Sequence, residues 1–353
     1  MRSPETGGEP PGGPAPAWSL VVPATGRRSL ARGLAALAAA EGTAPQEIVL
    51  VDDRPGGTAW APLPVTALGP LTGLAHVAPG TGRGRAAARN TGLHALRRTP
   101  DWVVFLDEDV TVAPGWRQTL AAELGRAGED GTVAGVRGAA DDGDIAYRAT
   151  ALQAAGGFDE RFPRAPYDDA DLELRLTHHG WTVRRGERVT ARTAPPPSPW
   201  TALRAQARHA DDALMAALHG RTWRDRAPLP CAGPLRTQAA LTAAGAATLL
   251  LALGRRPRAA TATALAWTAG TAAYARTTTA LTASLAPPYA LWHRARGTWR
   301  HHHAHPWPGT PPLRTPPRPG PPPRTPEAPA APQAAAPQGV AAPAPPGEEE
   351  GAV

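Results

Sequence analysis

The chain has no lysine: all 37 of its basic residues are arginine. With 37 glycines, 43 prolines and abundant alanine, this reads as a GC-rich coding bias, so arginine richness alone is no functional signal. Cysteine is almost absent as well. Cys231 stands alone, which excludes an internal disulfide and a zinc site built on cysteines. No helix-turn-helix pattern, zinc-ligand spacing or aromatic–basic platform is visible, so the net charge of +7 is not read as a nucleic-acid signature. It fits a nucleotide diphosphate or acidic lipid head groups. Residues 1–17 are rich in Pro and Gly and lack an apolar segment, so they read as a disordered N-terminus and not as a signal peptide.

What is present centres on W-V-V-F-L-D-E-D at 102–109. The apolar run reads as a buried strand, and three acids follow it with no base between them. A carboxylate at the end of a buried strand is costly unless it is paired or metal-bound. At the carboxyl edge of an α/β sheet such acids suit a divalent cation and the phosphates it carries. A solvated acidic turn is the alternative.

In chain order, 19–22 is a strand candidate and 27–40 an amphipathic helix with Leu30, Leu34 and Leu37 at helical spacing. Residues 47–53 form a second buried strand ending on Asp52 and Asp53, and 74–77 a weaker third. A helix over 86–96 follows Gly82-Arg83-Gly84-Arg85, and the 102–109 strand comes next. That alternation predicts an α/β fold with a mostly parallel sheet and helices on both faces. Further on, 116–127 reads as a helix, 132–136 and 144–148 as extended, 155–162 as a loop and 168–178 as a helix with acids in its first turn. A polar helix at 201–219 ends the domain, taken as 18–220, and 221–236 is a linker.

Composition changes at Thr237. Two uncharged stretches, 237–254 and 259–275, are just long enough to span a bilayer. They are rich in Ala, Thr and Gly, so a soluble helical pair stands beside the reading of a membrane-associated hairpin over 237–304. A third stretch, 277–292, is broken by Pro287-Pro288, and 294–305 is a basic patch suited to an anionic surface. Its histidines read as solvated tail before they read as a metal site. Residues 305–353 are Pro/Ala-rich and read as a disordered tail.

Five motifs stand in order: S-L-V-V-P-A from Ser19, V-D-D at 51–53, R-G-R-A-A-A-R-N-T-G at 83–92 before V-F-L-D-E-D, G-G-F-D-E-R-F at 156–162, and D-D-A-D-L-E-L-R-L from Asp168. Together they resemble a family 2 glycosyltransferase of the inverting GT-A type, over about 19–219. The resemblance implies a nucleotide-sugar donor and a glycan, lipid-linked or small-molecule acceptor. It implies that Asp52 and Asp53 bind base and ribose, although an Asp capping the turn before Pro55 is the local alternative. Arg85 and Arg89, one turn apart, would reach the diphosphate or else form a solvated helical face. Asn90 would act as a hydrogen-bonding buttress. Asp107 and Asp109 match the family's metal-binding acids, with Mg²⁺ or Mn²⁺ as cofactor; Asp109 would be the direct ligand and Asp107 would face the sugar or ribose. Asp169, with Asp168 as alternate, would be the general base, and Asp171 would serve the helix start.

Two departures stand out. Where relatives often carry a metal-completing histidine, V-T-A-R puts Arg192, which cannot ligate a metal but can pair with the diphosphate. The segment between Val136 and Ala146 is also short for the family. Rival readings are a catalytically impaired nucleotide-sugar-binding module acting as a membrane scaffold, and a nucleotidyltransferase on a similar sheet. The expected location is the cytoplasm, at the inner face of the cell membrane.

Overall fold

The structure, a computed structural model, describes residues 16–54, 62–140, 143–193, 198–227, 229, 235–274 and 280–305. The disordered ends expected at 1–17 and 305–353 fall almost wholly outside these residues.

The chain opens with β1 (Trp18–Ala24), α1 (Ser29–Ala39) and β2 (Ile48–Asp52). A 3-10 segment, Val65–Leu74, leads into β3 (Ala75–Pro79), followed by α2 (Arg85–Ala95) and β4 (Trp102–Leu106). Next come β5 (Val110–Val112), α3 (Trp116–Glu129), β6 (Val133–Arg137), β7 (Asp144–Arg148) and α4 (Ala149–Ala154). Then follow α5 (Tyr167–His178), β8 (Thr182–Arg185) and β9 (Thr190–Arg192). The main sheet has the order β3-β2-β1-β4-β7-β6-β8, with only β7 antiparallel to its neighbours. The mostly parallel α/β sheet expected from the sequence is present.

Successive strand residues feed opposite layers, as a period of two requires. Leu20 and Val22 join α1 and α3 on one face through Leu34, Leu37, Trp116 and Leu120. Val21 and Phe105 join α2, α4 and α5 on the other through Ala88, Leu152, Leu172 and Leu176. Gly92 is needed for that second layer, because a Cβ there would strike Val21 and crowd Val51. Parallel pairing sets Ala24 opposite Asp52 and Val21 opposite Phe105, so the strands' acidic ends share one edge. The separate β5–β9 pair sets Val110 opposite Arg192.

Beyond the sheet lie α6 (Pro199–Arg204), a 3-10 turn and α7 (Arg208–His219), so the single helix expected over 201–219 is divided. Leu214, Met215 and Leu218 pack on Phe162, Tyr167 and Leu174, and Trp223 of α8 (Trp223–Arg226) joins them inside the expected linker. The helices α9 (Leu235–Leu253) and α10 (Pro257–Tyr274) form a hairpin, with Thr248 bonded to Thr263 at 3.0 Å and Gly245 against Trp267. No helix among the described residues is long and apolar enough to cross a membrane, which corrects the spanning reading of 237–275. Ala, Thr and Gly dilute the Leu content that a bilayer core demands. The break expected at Pro287-Pro288 is also absent: α11 (Ala280–Arg300) runs through both prolines. Packing on α7 and α9, with Ala283, Ala286 and Ala290 buried, outweighs the two missing N–H groups.

Candidate active site

The three acids after β4 divide their work. Glu108 lines the cavity wall and accepts the backbone N–H of Thr25 at 2.9 Å and of Arg27 at 3.1 Å, and the Thr25 hydroxyl. It fastens the loop after β1, a role the sequence alone did not reveal. Asp107 accepts Arg85 Nε at 3.1 Å, Arg89 Nη2 at 3.4 Å and Arg192 Nη2 at 2.8 Å. Burial works to push its pKa up, but those guanidiniums outweigh it and hold it below the usual value. Asp109 accepts Arg27 Nη1 at 2.9 Å and Arg192 Nη1 at 3.3 Å, both on Oδ2. Its Oδ1 is buried without a hydrogen bond, although Arg192 Nη1 lies 3.2 Å away. Gly143, at φ +74°, has no room for a side chain, since a Cβ would fall on the Asp107 carboxylate and Arg192.

Arg85 and Arg89, at i and i+4 on α2, join this acidic loop to the start of α5. Arg85 reaches Asp168 at 3.3 Å and Asp169 at 2.6 Å, while Arg89 reaches Asp169 at 2.5 Å. Neither forms a solvated face. Arg89 has no exposed surface and lies 5.1 Å from the Phe105 ring centre and 5.0 Å from that of Phe158, so it holds acids in place and does not face the cavity. Arg85 does line the cavity.

Asp168 and Asp169 are both buried, and their environments differ. Burial pushes the Asp168 carboxyl up to about 6, and its Oδ2 has no hydrogen-bond partner. Burial acts on Asp169 as well, but Arg85, Arg89 and Arg137 outweigh it and keep that carboxyl well below the ordinary range. Asp171 does not cap the helix: it pairs with Arg175 at 2.7 Å and with His219 at 2.7 Å, linking α5 to α7.

Asp52 is clamped by Arg54, whose Nε and Nη2 lie at 2.7 and 2.6 Å, a bond that lowers its pKa. Asp53 lines the cavity, but its Oδ1 accepts Gly82 N–H at 2.7 Å and so also holds the loop before α2. Asn90 is the expected buttress. It donates to Phe158 O at 2.9 Å and Glu160 at 3.1 Å and accepts Phe158 N–H, which locks the 156–162 loop.

The resulting cavity holds about 290 Å³ and is lined by Thr25, Arg27, Asp53, Arg85, Asp107, Asp109 and Arg192, among others. Among the described residues no three His, Cys, Asp or Glu side chains converge as a complete metal cradle. Mg²⁺ commonly takes only one or two carboxylates and completes its shell with water and substrate phosphates, so Asp107 and Asp109 suit it chemically. Asp109 Oδ1 is the buried oxygen left without a hydrogen bond. Asp107, Glu108, Asp109, Asp168 and Asp169 face only Arg27, Arg85, Arg89 and Arg192 in these pairs, so the site has no surplus positive charge for a diphosphate.

A nucleotide-type sheet with paired acids at its carboxyl edge and a second acidic pair facing them defines a GT-A-like glycosyltransferase fold. The glycosyl transferase family 2 model matches residues 19–185. No curated protein matches the chain. Among solved structures it is similar to the mannosyltransferase PcManGT from Pyrobaculum calidifontis in complex with GDP-Man and Mn²⁺, at 19% identity over 81% of this chain and 88% of that one, with a TM-score of 0.48. GalNAc-T7 with UDP, GalNAc and Mn²⁺ is similar at 14% identity over 61% and 52%, with a TM-score of 0.42. S. aureus TarS is similar at 15% identity over 59% and 41%, with a TM-score of 0.40.

Proposed function

We propose that the chain transfers a sugar from a nucleotide-diphosphate donor to an acceptor hydroxyl, with inversion at the anomeric carbon. The observation that carries this is Arg85, which touches Asp107 on the donor side and Asp168 and Asp169 on the other. Asp53 and Asp52 meet the nucleoside, while Arg85, Arg192 and Arg27 meet the diphosphate. Asp107 and Asp109 would hold Mg²⁺ or Mn²⁺, which when bound neutralises charge growing on the leaving diphosphate. Asp169 takes the acceptor proton, because it is the member of its pair held ionised and not wholly enclosed. A diphosphate that draws Arg85 to itself frees the Asp169 oxygen that Arg85 holds, so base and donor are readied together. The acceptor is a glycan, a lipid-linked saccharide or a small molecule.

The α9–α10 hairpin adds a place of work. Leu249, Leu250, Leu253 and Leu265 are each at least 67% exposed near Arg255, Arg256 and Arg258. Apolar tips beside arginines suit the surface of an anionic membrane, here the inner face of the cell membrane, without crossing it.

A screen of nucleotide sugars with and without Mn²⁺ tests the transferase reading, which expects one donor to be consumed in the presence of an acceptor. The second reading, a binding module, is favoured by the guanidiniums on both oxygens of Asp169. Tight donor binding with no consumption against any acceptor would establish it.

A further inference from the structure

A second and larger hollow, of about 1010 Å³, lies between the 156–164 loop and α11. Pro163 lines both hollows, and Arg83 of this one precedes Gly84 and Arg85 of the other. Its charges do not cancel. Asp159 pairs with Arg161 at 2.6 Å, Glu160 with Arg83 at 2.6 Å and Asp211 with Arg164 at 3.1 Å. That uses every carboxylate of the lining and leaves Arg296 and Arg300, which form no ion pair among the described residues, although the Arg300 charge acts on Asp211 from a distance. Arg296 lies 5.2 Å from the Trp292 ring centre, which steadies it while leaving its N–H groups free for a ligand.

His293 is the independent sign of a ligand. It lines the same hollow, is only 6% exposed, and its Nε2 is buried with no hydrogen-bond partner. Tyr289 and Trp292 pack edge-on against its ring at 4.5 and 4.6 Å, so the imidazole is held in a fixed orientation. An unpaired buried donor or acceptor costs free energy that a bound polar group recovers.

We propose that this cleft receives the phosphate of a phosphorylated acceptor, an inference that rests on the transferase reading above. Two unpaired guanidiniums with an oriented imidazole match a phosphomonoester, which carries close to two charges and three acceptor oxygens, better than a single carboxylate. Beside Pro163, such an anchor holds the acceptor on the stretch that leads into Asp168 and Asp169. The phosphate belongs either to a lipid or to a soluble sugar phosphate.

The test uses the full chain, with glycerol 3-phosphate as the soluble probe and phosphatidylcholine vesicles with or without phosphatidate as the lipid probe. Binding to either phosphate probe, weakened at least ten-fold in the double variant R296Q/R300Q and in H293Q, is the expected result. Which probe binds identifies the source. Arg296 and Arg300 are exposed, so their replacement leaves the core untouched, and titration with UDP or GDP plus Mn²⁺ checks that the donor site is intact. Wild-type chain that ignores both probes, or variants that bind them as tightly as wild type, would overturn the proposal. So would equal affinity for glucuronate. Phosphate binding with no nucleotide binding would refute the transferase reading and leave the anion cleft standing.

Discussion

Arg85 donates to Asp169 at 2.6 Å across 84 residues of chain. The same guanidinium lies 3.1 Å from Asp107, so the Asp168–Asp169 pair and Asp107 share one counter-ion. Under the proposed roles, catalysis and donor capture are coupled, yet separable by substitution. Asp169→Asn keeps an oxygen for Arg89 but loses basicity. It should lower kcat by about 10²–10⁴ with little change in donor affinity. Steady-state rates beside donor titration check this. If Asp168→Asn is inactive while Asp169→Asn keeps the wild-type rate, the base is Asp168.

Asp168 should leave a mark on stability. Its carboxyl is pushed up to about 6 from 3.8, so the folded chain takes up that proton more readily than the unfolded chain. The ionised group then costs stability above about pH 6, and the cost fades as pH falls toward 3.8. Asp168→Asn should be more stable than wild type at about pH 7.5, with the gap closing at up to roughly 1.4 kcal/mol per pH unit below pH 6. Urea midpoints across that range measure it; a variant less stable at every pH would contradict the assignment.

Asp109 is the test of the cation. Asp109→Asn should abolish transfer and remove the Mn²⁺ dependence of nucleotide binding while leaving the unfolding midpoint close to wild type. Arg192→His should restore a third ligand and tighten Mn²⁺-dependent nucleotide binding. Unchanged turnover of Asp109→Asn in saturating Mn²⁺ would exclude a ligand role.

The hairpin tip predicts a surface association. Replacing Leu249, Leu250 and Leu253 with Gln should reduce sedimentation with anionic vesicles several-fold and leave donor binding intact. Release of the wild-type chain by salt alone would assign the contact to arginines instead of leucines.

Short-range pattern determined much of this protein. The apolar runs of β1, β2 and β4, the helical spacing of Leu30, Leu34 and Leu37, and the acids that end the strands all depend on neighbours within a few residues. The order of the five motifs likewise carried the family resemblance, and with it the choice of Asp107, Asp109 and the Asp168–Asp169 pair as candidates. What Glu108, Arg89 and Arg192 do was decided elsewhere. Glu108 bonds to a loop 81–83 residues away, Arg89 is buried by two aromatic rings from separate segments, and Arg192 reaches Asp107 only because β9 pairs with β5. The helix through Pro287-Pro288 has the same origin, since packing on α7 and α9 overrides a local rule. Ion pairs and burial depend on which element ends meet in space, and that is set by sheet order and register, quantities no local window of sequence contains.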